Sequence, residues 1–521
     1  MALGKKRSKI EYGDFQTPAS LAYQVCNLIA QTGCAPQSIL EPTCGVGHFL
    51  DAALQSFPSV RYLAGVEINP EYVSTAKLTL EHLAVARPDV TIDISVSNFF
   101  DKEWESYLAN LPDPILIIGN PPWVTNAEVG TLNGGNLPQK HNSQNLPGLD
   151  ALTGASNFDI SEWMLLRILE WIEGRNGVVA MLCKTSVARK VLLANWKNRR
   201  PIANSRLYKF DSQSTFGVSV DACLLVCDNT VNPICQKENE TECYIYETLT
   251  DSEPSGHIGY RKGVLVSDIE RFEKWRHLLA SPKSKQEYVW RSGIKHDATN
   301  VMELQKVENG YQNRLSEKVL LEDDYLYPML KSSDIAGQST REPRFWMLVP
   351  QRRTGEETAS IQLTAPNTWR YLTNHARILD GRKSAIYRNR PRYSIFGVGG
   401  YSFAPWKVAI SGMYKGLRFQ VIGKFDEKPI VLDDTCYFLS CATQAEAEFI
   451  AGLLNSEIAQ QFFRAFIFWD EKRPITVRLL RKLSISKVAD ELGVSAALAA
   501  FSSKGYQNTN HTQLQLFEKP V

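Results

Sequence analysis

The chain has 521 residues, which is too long for one ordinary core and predicts two or three domains. Hydrophobic residues make up 44% of the sequence and charged residues 22%, a composition typical of globular proteins rather than disordered or fibrous ones. No apolar run reaches the roughly 18 residues of a membrane-spanning helix, and the ten cysteines form no CxxC pair, which disfavours a disulfide framework or a zinc ribbon. We therefore expect a cytoplasmic protein with reduced thiols.

The net charge of +2 hides a difference between the two halves of the chain. Counting Lys and Arg against Asp and Glu, residues 1–245 carry a net charge of −5 and residues 246–521 carry +7. A basic half is expected where a protein contacts a polyanion. Solvated faces of lysine and arginine are also common, so charge alone leaves both interpretations open.

Short apolar runs alternate with amphipathic stretches in the first half, which predicts βα units around a parallel sheet. The predicted strands are Ser38–Glu41, Tyr62–Glu67, Thr91–Val96, 114–119, 177–183 and 222–227, with helices opening near Pro70 and covering 159–173. Residues 124–156 are rich in Gly, Asn, Pro and Gln, as is typical of a long surface loop that is functional or mobile.

Beyond residue 245 the sequence becomes rich in predicted strands and aromatic residues, and helices are predicted near 444–466. The last twenty residues are polar, as frayed termini commonly are. We therefore predict one domain at 1–245, a second at 246–500 and a polar tail at 501–521.

A glycine-containing turn follows the first predicted strand. Glycines in Glu41-Pro-Thr-Cys-Gly-Val-Gly47 allow the backbone to approach a ligand at the carboxyl ends of the strands. Glu67, at the end of the second strand, can accept hydrogen bonds from ribose hydroxyls. A dinucleotide fingerprint would require glycine at Leu50, and Glu41 would repel a pyrophosphate but attract an ammonium or sulfonium group. The turn favours S-adenosylmethionine over NAD; a turn that binds nothing is the alternative.

The segment Asn120-Pro-Pro-Trp123 follows the fourth predicted strand. Two prolines restrict φ and stiffen the turn, and the Asn120 amide oxygen and the Pro121 carbonyl can both accept hydrogen bonds. Together they would bind the two N–H groups of an exocyclic amine, while Trp123 offers a flat face for a planar ring. The pattern predicts direct methyl transfer to a nucleobase amine, which requires positioning and electrostatics but no covalent enzyme intermediate.

Four motifs in this order resemble the gamma class of N6-adenine-specific DNA methyltransferases of restriction–modification systems. They are Gln16-Thr-Pro18, the turn from Glu41 to Gly47, Glu67 and Asn120-Pro-Pro-Trp123. The motifs span residues 12–227, and segments 290–297, 327–334 and 396–403 are similar to the recognition regions of such enzymes. The resemblance implies a Rossmann-like α/β methyltransferase domain followed by a mixed α+β DNA target-recognition domain.

The resemblance also implies roles for individual residues. The methionine part of the donor would be held by Thr17, Glu41, Thr43 and Gly45, and Gly47 would also belong to the cofactor-binding turn. Glu67 would hold the ribose and Ile68 would lie beside the adenine. Asn98 and Phe99 stand where the family often has Asp-Phe, which reads the adenine amino group of the donor. The catalytic segment would be Asn120, Pro121, Pro122 and Trp123, and Phe216 would pack with Trp123 against the flipped base; an ordinary core phenylalanine is the alternative.

A methyl donor cannot reach the N6 position inside stacked duplex DNA, so the resemblance implies base flipping and many phosphate contacts. Candidate phosphate ligands are Arg382, Lys383, Arg388, Arg390, Arg392, Lys472 and Arg473. An ordinary solvated charged surface is the alternative for both clusters.

We therefore expect a two-domain, S-adenosylmethionine-dependent, adenine-specific DNA methyltransferase that forms S-adenosylhomocysteine and requires no metal. Its partner would be double-stranded DNA in the nucleoid, with no membrane contact, and a cognate restriction endonuclease would act on the same site. A monomer or weak dimer is expected. Methyl transfer to N4 of cytosine, to RNA or to a protein glutamine is one alternative, and a catalytically inactive DNA-binding subunit is another.

Overall fold

The structure, a computed structural model, describes residues 16–124, 159–200, 204–229, 241–281, 288–338 and 342–502. Almost all of the predicted loop at 124–156 and of the predicted tail at 501–521 lies outside the described residues. The described chain forms two compact units, one ending at Ile269 and one beginning at Glu270. In the parts described, no helix is both long and apolar enough to cross a membrane.

The first unit contains a single large sheet with helices between its strands. Its strands are β1 (Ser38–Glu41), β2 (Tyr62–Glu67), β3 (Thr91–Val96), β4 (Ile115–Gly119), β5 (Gly177–Lys184), β6 (Asn204–Phe210), β7 (Ala222–Asp228), β8 (Thr241–Tyr246), β9 (Gly256–Arg261) and β10 (Val264–Val266). Its helices are α1 (Ala19–Gln31), α2 (His48–Ser56), α3 (Pro70–Ala86), α4 (Trp104–Leu108), α5 (Ile160–Trp171), α6 (Thr185–Lys197) and α7 (Ser212–Phe216).

The ten strands are ordered β10-β9-β8-β6-β7-β5-β4-β1-β2-β3. Strands β1 to β5 pair only in parallel with one another, as their apolar runs predict, whereas β7 pairs antiparallel with both β5 and β6. Because β1 pairs with β2 on one side and with β4 on the other, the strand order changes direction there. The carboxyl ends of β1, β2 and β4 therefore surround a switch point, where open α/β sheets bind their ligands.

The first compact unit extends past the predicted boundary at residue 245. Strand β8 adds in parallel to β6, and β9 and β10 follow as antiparallel additions to the same sheet. Backbone hydrogen bonding along these edges keeps the segment with the first unit, so the division falls after Ile269.

Local sequence accounts for the elements that carry the switch point. All residues of β1 and β4 are buried, which agrees with their uninterrupted apolar character in a sheet covered on both faces. Helix α3 begins with Pro70 in its first turn, and the Asn69 side chain accepts a hydrogen bond from the Glu71 N–H at 3.0 Å. Leucines such as Leu63 and Leu116 are fully buried in the core between sheet and helices, and each contributes about 1.5–3 kcal/mol.

The second unit is a mixed α+β structure. Its strands are β11 (Arg291–Ser292), β12 (Glu303–Val307), β13 (Gly310–Asn313), β14 (Lys318–Val319), β15 (Leu326–Leu330), β16 (Phe345–Leu348), β17 (Trp406–Ser411), β18 (Gln420–Ile422), β19 (Lys424–Phe425), β20 (Lys428–Pro429), β21 (Val431–Leu432) and β22 (Cys436–Cys441). They form sheets ordered β14-β13-β12-β16-β15-β21, β11-β22-β17-β18 and β19-β20.

Short helices surround these sheets. They are α8 (Ile269–Trp275, which begins at the division), α9 (Thr299–Met302), α10 (Ser332–Ala336), α11 (Ile361–Thr364), α12 (Pro366–Asn374), α13 (Ala376–Asp380), α14 (Gln444–Asn455), α15 (Glu457–Arg464), α16 (Val477–Leu480), α17 (Ile485–Glu491) and α18 (Ser495–Ser502). Helices α14 and α15 confirm the helical prediction for 444–466.

A buried carboxylate joins several parts of the second unit. Glu303, at the start of β12, is 3% exposed and lies 2.6 Å from Lys331 Nζ, 2.8 Å from Arg314 and 3.4 Å from His296. Burial acts to raise the pKa of Glu303, but hydrogen bonds from His296 and Lys331 outweigh it and lower the pKa to about 2. This ionised side chain connects β12 with the segments that precede β12 and follow β15.

Candidate active site

The carboxyl ends of β1, β2 and β4 border a cavity of about 430 Å³, a size typical of small-molecule sites. Of the residues proposed from sequence for the donor and the reacting amine, the cavity is lined by Thr17, Glu41, Thr43, Gly45, Glu67, Ile68, Asn98, Phe99, Asn120 and Pro122. Gly47, Pro121 and Trp123 lie next to these residues in sequence but do not line it. The tertiary structure thus brings residues from distant segments to one site.

The glycine turn after β1 has a backbone that other residues adopt with difficulty. Gly45 has φ +51° and Gly47 has φ +86°, values in the left-handed region that favours glycine. A Cβ on Gly47 would lie 3.0 Å from the Cβ of Ala76 in α3. The Cys44 N–H also donates to the Val66 carbonyl at 2.9 Å, which attaches the turn to β2. The turn therefore lies close to the cavity in one defined conformation.

Glu67 is held in place by two backbone amides at the end of β2. Its Oε2 accepts a hydrogen bond from the Gly45 N–H, and its Oε1 accepts one from the Asn69 N–H, both at 2.9 Å. Each carboxylate oxygen has a second lone pair. A fixed carboxylate of this kind can accept hydrogen bonds from a diol at the cavity wall.

Glu41 lies deeper at the end of β1 and is 3% exposed. Burial, together with the neighbouring charge of Glu67, raises the pKa of Glu41 well above its usual range. Among the described residues, neither the Glu41 Oε2 nor the buried hydroxyl of Thr43 has a hydrogen-bond partner. An unsatisfied buried polar group costs about 1–3 kcal/mol. The oxygens of this acidic cavity wall suit a ligand with a cationic, hydrogen-bonding end, as the predicted donor has.

The predicted adenine-reading pair has a defined local structure. Asn98 Oδ1 accepts a hydrogen bond from the Phe100 N–H at 3.1 Å, and its Nδ2 donates to Asp101 at 2.9 Å. Phe99 is buried, with its ring centroid 5.2 Å from that of Trp104 and 5.6 Å from that of Trp171. The aromatic cluster supports the wall of the cavity, and the local bonds orient the Asn98 amide.

Asn120 begins the turn after β4 and connects it to the segment before α1. Its Nδ2 donates to Thr17 Oγ1 at 3.3 Å. This bond restrains the orientation of the Asn120 amide, whose oxygen is buried. Pro121 is buried and Pro122 borders the cavity. The hydrogen-bond acceptor predicted for the reacting amine therefore lies at the edge of the donor cavity.

Trp123 and Phe216, both proposed to contact the flipped base, lie next to each other and meet edge to face. Their ring centroids are 5.4 Å apart and their planes are inclined by 74°. Trp123 is only 6% exposed and belongs to the core cluster. Edge-to-face packing is a preferred arrangement of two aromatic rings, but it leaves no parallel slot between them. Insertion of a planar ring between Trp123 and Phe216 would require this contact to open.

Arg382, predicted to contact DNA, is tied to its own unit. Its Nε donates to the Leu379 carbonyl at 2.7 Å, and its Nη1 donates to the carbonyls of His296 and Ser394 at 3.1 and 2.7 Å. The guanidinium carbon lies 3.8 Å from the ring centroid of Tyr387, and burial lowers the pKa of Arg382. These contacts give this arginine a role in holding the loop after α13.

The other residues of the two basic clusters are exposed. They are Lys383, Arg388, Arg390, Arg392, Lys472 and Arg473. Arg392 pairs with Asp380 at 2.8 Å, and Arg473 lies 4.0 Å from Asp434. Exposed pairs of this kind contribute little to stability, so their cations can exchange partners with a polyanion.

Sequence reasoning missed Lys184, which follows Cys183 at the carboxyl end of β5 and donates to the Trp123 carbonyl. It also missed Asp159, the ion-pair partner of Lys184. The sequence feature that could have identified Lys184 is a charged residue at the end of an otherwise apolar strand, because ligands bind at the carboxyl ends of parallel strands.

No family model matches the chain. The type II methyltransferase M.NspV of Nostoc sp. is 44% identical over 484 residues, which cover 93% of this chain and 98% of that protein. Among solved structures, the type IIL restriction-modification enzyme MmeI in complex with DNA is 12% identical with a TM-score of 0.46, over 96% of this chain and 78% of that one. The EcoKI M protein of a type I restriction enzyme is 13% identical with a TM-score of 0.31, over 57% and 59%. Structural likenesses at this level are too distant to assign a function.

Proposed function

The chain belongs to the type II methyltransferases, and from that premise we propose that it methylates the N6 amine of adenine at a specific site in double-stranded DNA, with S-adenosylmethionine as donor. The observation that carries the proposal is the position of Asn120 at the edge of an acidic cavity at the sheet switch point. The proposed transfer uses no metal.

The cavity suits the donor at both of its ends. Glu67, fixed by two backbone amides, would accept hydrogen bonds from the ribose hydroxyls. Buried oxygens of Glu41 and Thr43 would bind the cationic methionine end, and a cation there would stabilise the ionised form of Glu41. Asn98 would accept a hydrogen bond from the adenine amino group. S-adenosylmethionine supplies a methyl group on a positively charged sulfur, which leaves as the neutral thioether of S-adenosylhomocysteine.

The amine would be activated by Asn120 and Pro121. The N6 nitrogen of adenine is a poor nucleophile because its lone pair is delocalised into the ring. If the Asn120 side-chain oxygen and the Pro121 carbonyl accept hydrogen bonds from its two N–H groups, the nitrogen can become tetrahedral and direct its lone pair at the methyl carbon. The N–C bond forms as the S–C bond breaks, and the methylated nitrogen then loses one proton to solvent.

Access for the base requires it to leave the duplex, which costs a few kcal/mol. Phosphate contacts from exposed residues such as Lys383, Arg388 and Arg390 would offset part of that cost. Trp123 would stack on the base after its edge-to-face contact with Phe216 opens. We therefore expect the ring of Trp123 to move when DNA binds.

The test is nucleoside analysis of DNA methylated by the purified protein. Tritiated S-adenosylmethionine and unmethylated bacterial DNA are incubated with the protein, the DNA is digested, and labelled nucleosides are separated. N6-methyladenine as the labelled product supports the proposal. Label in N4-methylcytosine, label only in RNA or protein added in parallel, or donor binding without any transfer would each refute it. A cognate endonuclease and a monomeric or weakly dimeric state stay predictions.

A further inference from the structure

Lys184 lies beside the catalytic turn because of its place in the sheet. Strand β5 pairs in parallel with β4, with Gly119 opposite Met181, so the carboxyl ends of the two strands lie at the same edge. From there Lys184 Nζ donates to the Trp123 carbonyl at 3.3 Å and to Asp159 Oδ2 at 2.7 Å. The Lys184 side chain is 22% exposed, so both bonds are largely shielded from water.

Asp159 is itself held rigidly. Its Oδ1 accepts hydrogen bonds from the Ser161 N–H at 3.1 Å and from the Ser161 hydroxyl at 2.6 Å, which caps α5. The next residue, Ile160, donates its N–H to the Val124 carbonyl at 2.9 Å. The lysine therefore connects the backbone of the catalytic turn to a fixed helix start rather than to a mobile surface group.

The turn requires such a support at its carboxyl end. Proline restricts φ at positions 121 and 122, and Pro122 also restricts ψ of Pro121. The ψ angle of Pro122 and both backbone dihedral angles of Trp123 lack such a restriction. The amino end is anchored by β4 and by the bond from Asn120 to Thr17. At the carboxyl end, Lys184 holds the peptide group that follows Trp123.

We propose that Lys184 is a positioning residue for methyl transfer, which holds the catalytic turn by bridging the Trp123 carbonyl and Asp159. The inference rests on methyl transfer to DNA and is independent of which base is methylated. Misplacement of a reacting group by about 1 Å can cost of the order of 100-fold in rate, so loss of this support is expected to lower kcat by roughly 10- to 100-fold.

The experiment compares Lys184→Met with the matched control Lys190→Met. Lys190 also forms an ion pair with α5, through Glu162 at 3.0 Å, but it does not contact the turn. Methylation of mixed-sequence DNA gives kcat and the KM for DNA, calorimetry gives the Kd for S-adenosylmethionine, and thermal unfolding gives Tm. Hydrogen–deuterium exchange of peptides covering 119–124 is measured without DNA.

We expect Lys184→Met to lower kcat by roughly 10- to 100-fold, with the donor Kd and the KM for DNA within about two-fold of wild type, and to speed exchange at 119–124. Lys184→Arg, which keeps a charged donor, should recover at least part of the rate. Lys190→Met should keep the wild-type kcat, donor Kd and exchange at 119–124, although loss of the partner of buried Glu162 lowers its Tm. Unchanged kcat and exchange in Lys184→Met would overturn the inference, as would parallel losses of kcat, donor affinity and Tm.

If Lys184→Met does not fold, Lys184→Gln replaces it, and a wild-type kcat in that variant overturns the inference.

The result of this experiment can be distinguished from a failure of the proposed function. A wild-type protein that methylates cytosine would refute the proposed acceptor and leave the ratio of variant to wild-type rates intact. Exchange at 119–124 requires no substrate and tests the support directly.

Discussion

Replacing Asn120 by alanine removes the side-chain acceptor proposed for the reacting amine and leaves the donor cavity otherwise intact. In the structure, the Asn120 side chain donates a hydrogen bond to Thr17, in the segment before α1, at 3.3 Å. Loss of that neutral bond costs about 0.5–1.5 kcal/mol. Loss of one acceptor aimed at the transition state costs about 2.7–4 kcal/mol, or roughly 100- to 1,000-fold in kcat. We expect the catalytic loss to dominate.

The assay is single-turnover methyl transfer at saturating donor, with calorimetry for the donor Kd. Asn98→Ala is the matched control, because Asn98 is the same residue type on the wall of the same cavity. Asn98→Ala should weaken donor binding and retain most of the rate at saturating donor, whereas Asn120→Ala should retain the donor Kd and lose the rate. A near wild-type rate in Asn120→Ala, or equal effects of both variants on donor affinity, would refute the assigned role.

Three further predictions concern stability. The pKa of Glu303 is lowered from 4.5 to about 2 in the folded protein. Ionised Glu303 therefore contributes about 3 kcal/mol to the free energy of unfolding above pH 4.5, and this contribution is lost as the pH falls toward 2. Urea unfolding at pH 5 and pH 3 should show a smaller pH dependence for Glu303→Gln than for wild type. Lys407 is fully buried and burial lowers its pKa from 10.5 to about 7, so the free energy of unfolding should rise between pH 7 and 10.5. Lys407→Met should remove that rise and stabilise the protein at pH 7 by about 1–3 kcal/mol; a lower Tm would contradict this. Gly47→Ala, at φ +86° and with its new Cβ 3.0 Å from Ala76, should lower the free energy of unfolding by about 1–2 kcal/mol. Adding Ala76→Gly would leave the Ala76 Cα 3.2 Å from the new Cβ and place a glycine inside α3, so it should not restore the wild-type Tm in thermal unfolding.

Sequence located best those strands in which nearly every residue is buried. Strands β1, β4 and β5 are covered on both faces, so they appear as largely apolar runs bounded by turn residues. Strand β6 was missed because polar and charged residues interrupt its apolar positions, as in 204–210. Strands β9 and β10 fell in the predicted second domain because their sequence resembles the strand-rich region that follows. The successive pairings of β6 with β8, β8 with β9 and β9 with β10 attach them to the first unit.

Within the candidate site, too, sequence predicts the positions of some residues and not of others. The positions of Glu41, Glu67 and Asn120 could be predicted because parallel strands end at one edge of a sheet, so residues that follow strands meet there. The bonds that restrain Arg382 could not be predicted, because they go to backbone carbonyls of distant segments. The edge-to-face packing of Trp123 likewise depends on a partner from another part of the chain.

Sequence by itself located β1 to β5 and β7, identified the polar groups available at their ends and led to the prediction of a cationic nucleoside donor rather than a dinucleotide. These follow from local hydrophobicity, from backbone requirements at glycine and proline, and from the charge of individual side chains. Tertiary structure alone decided that β7 runs antiparallel, that Lys184 donates to the Trp123 carbonyl and that one predicted DNA-binding arginine is hydrogen-bonded within its own unit. Such contacts join residues far apart in sequence, and their free energy depends on distances that exist only once the sheet has formed.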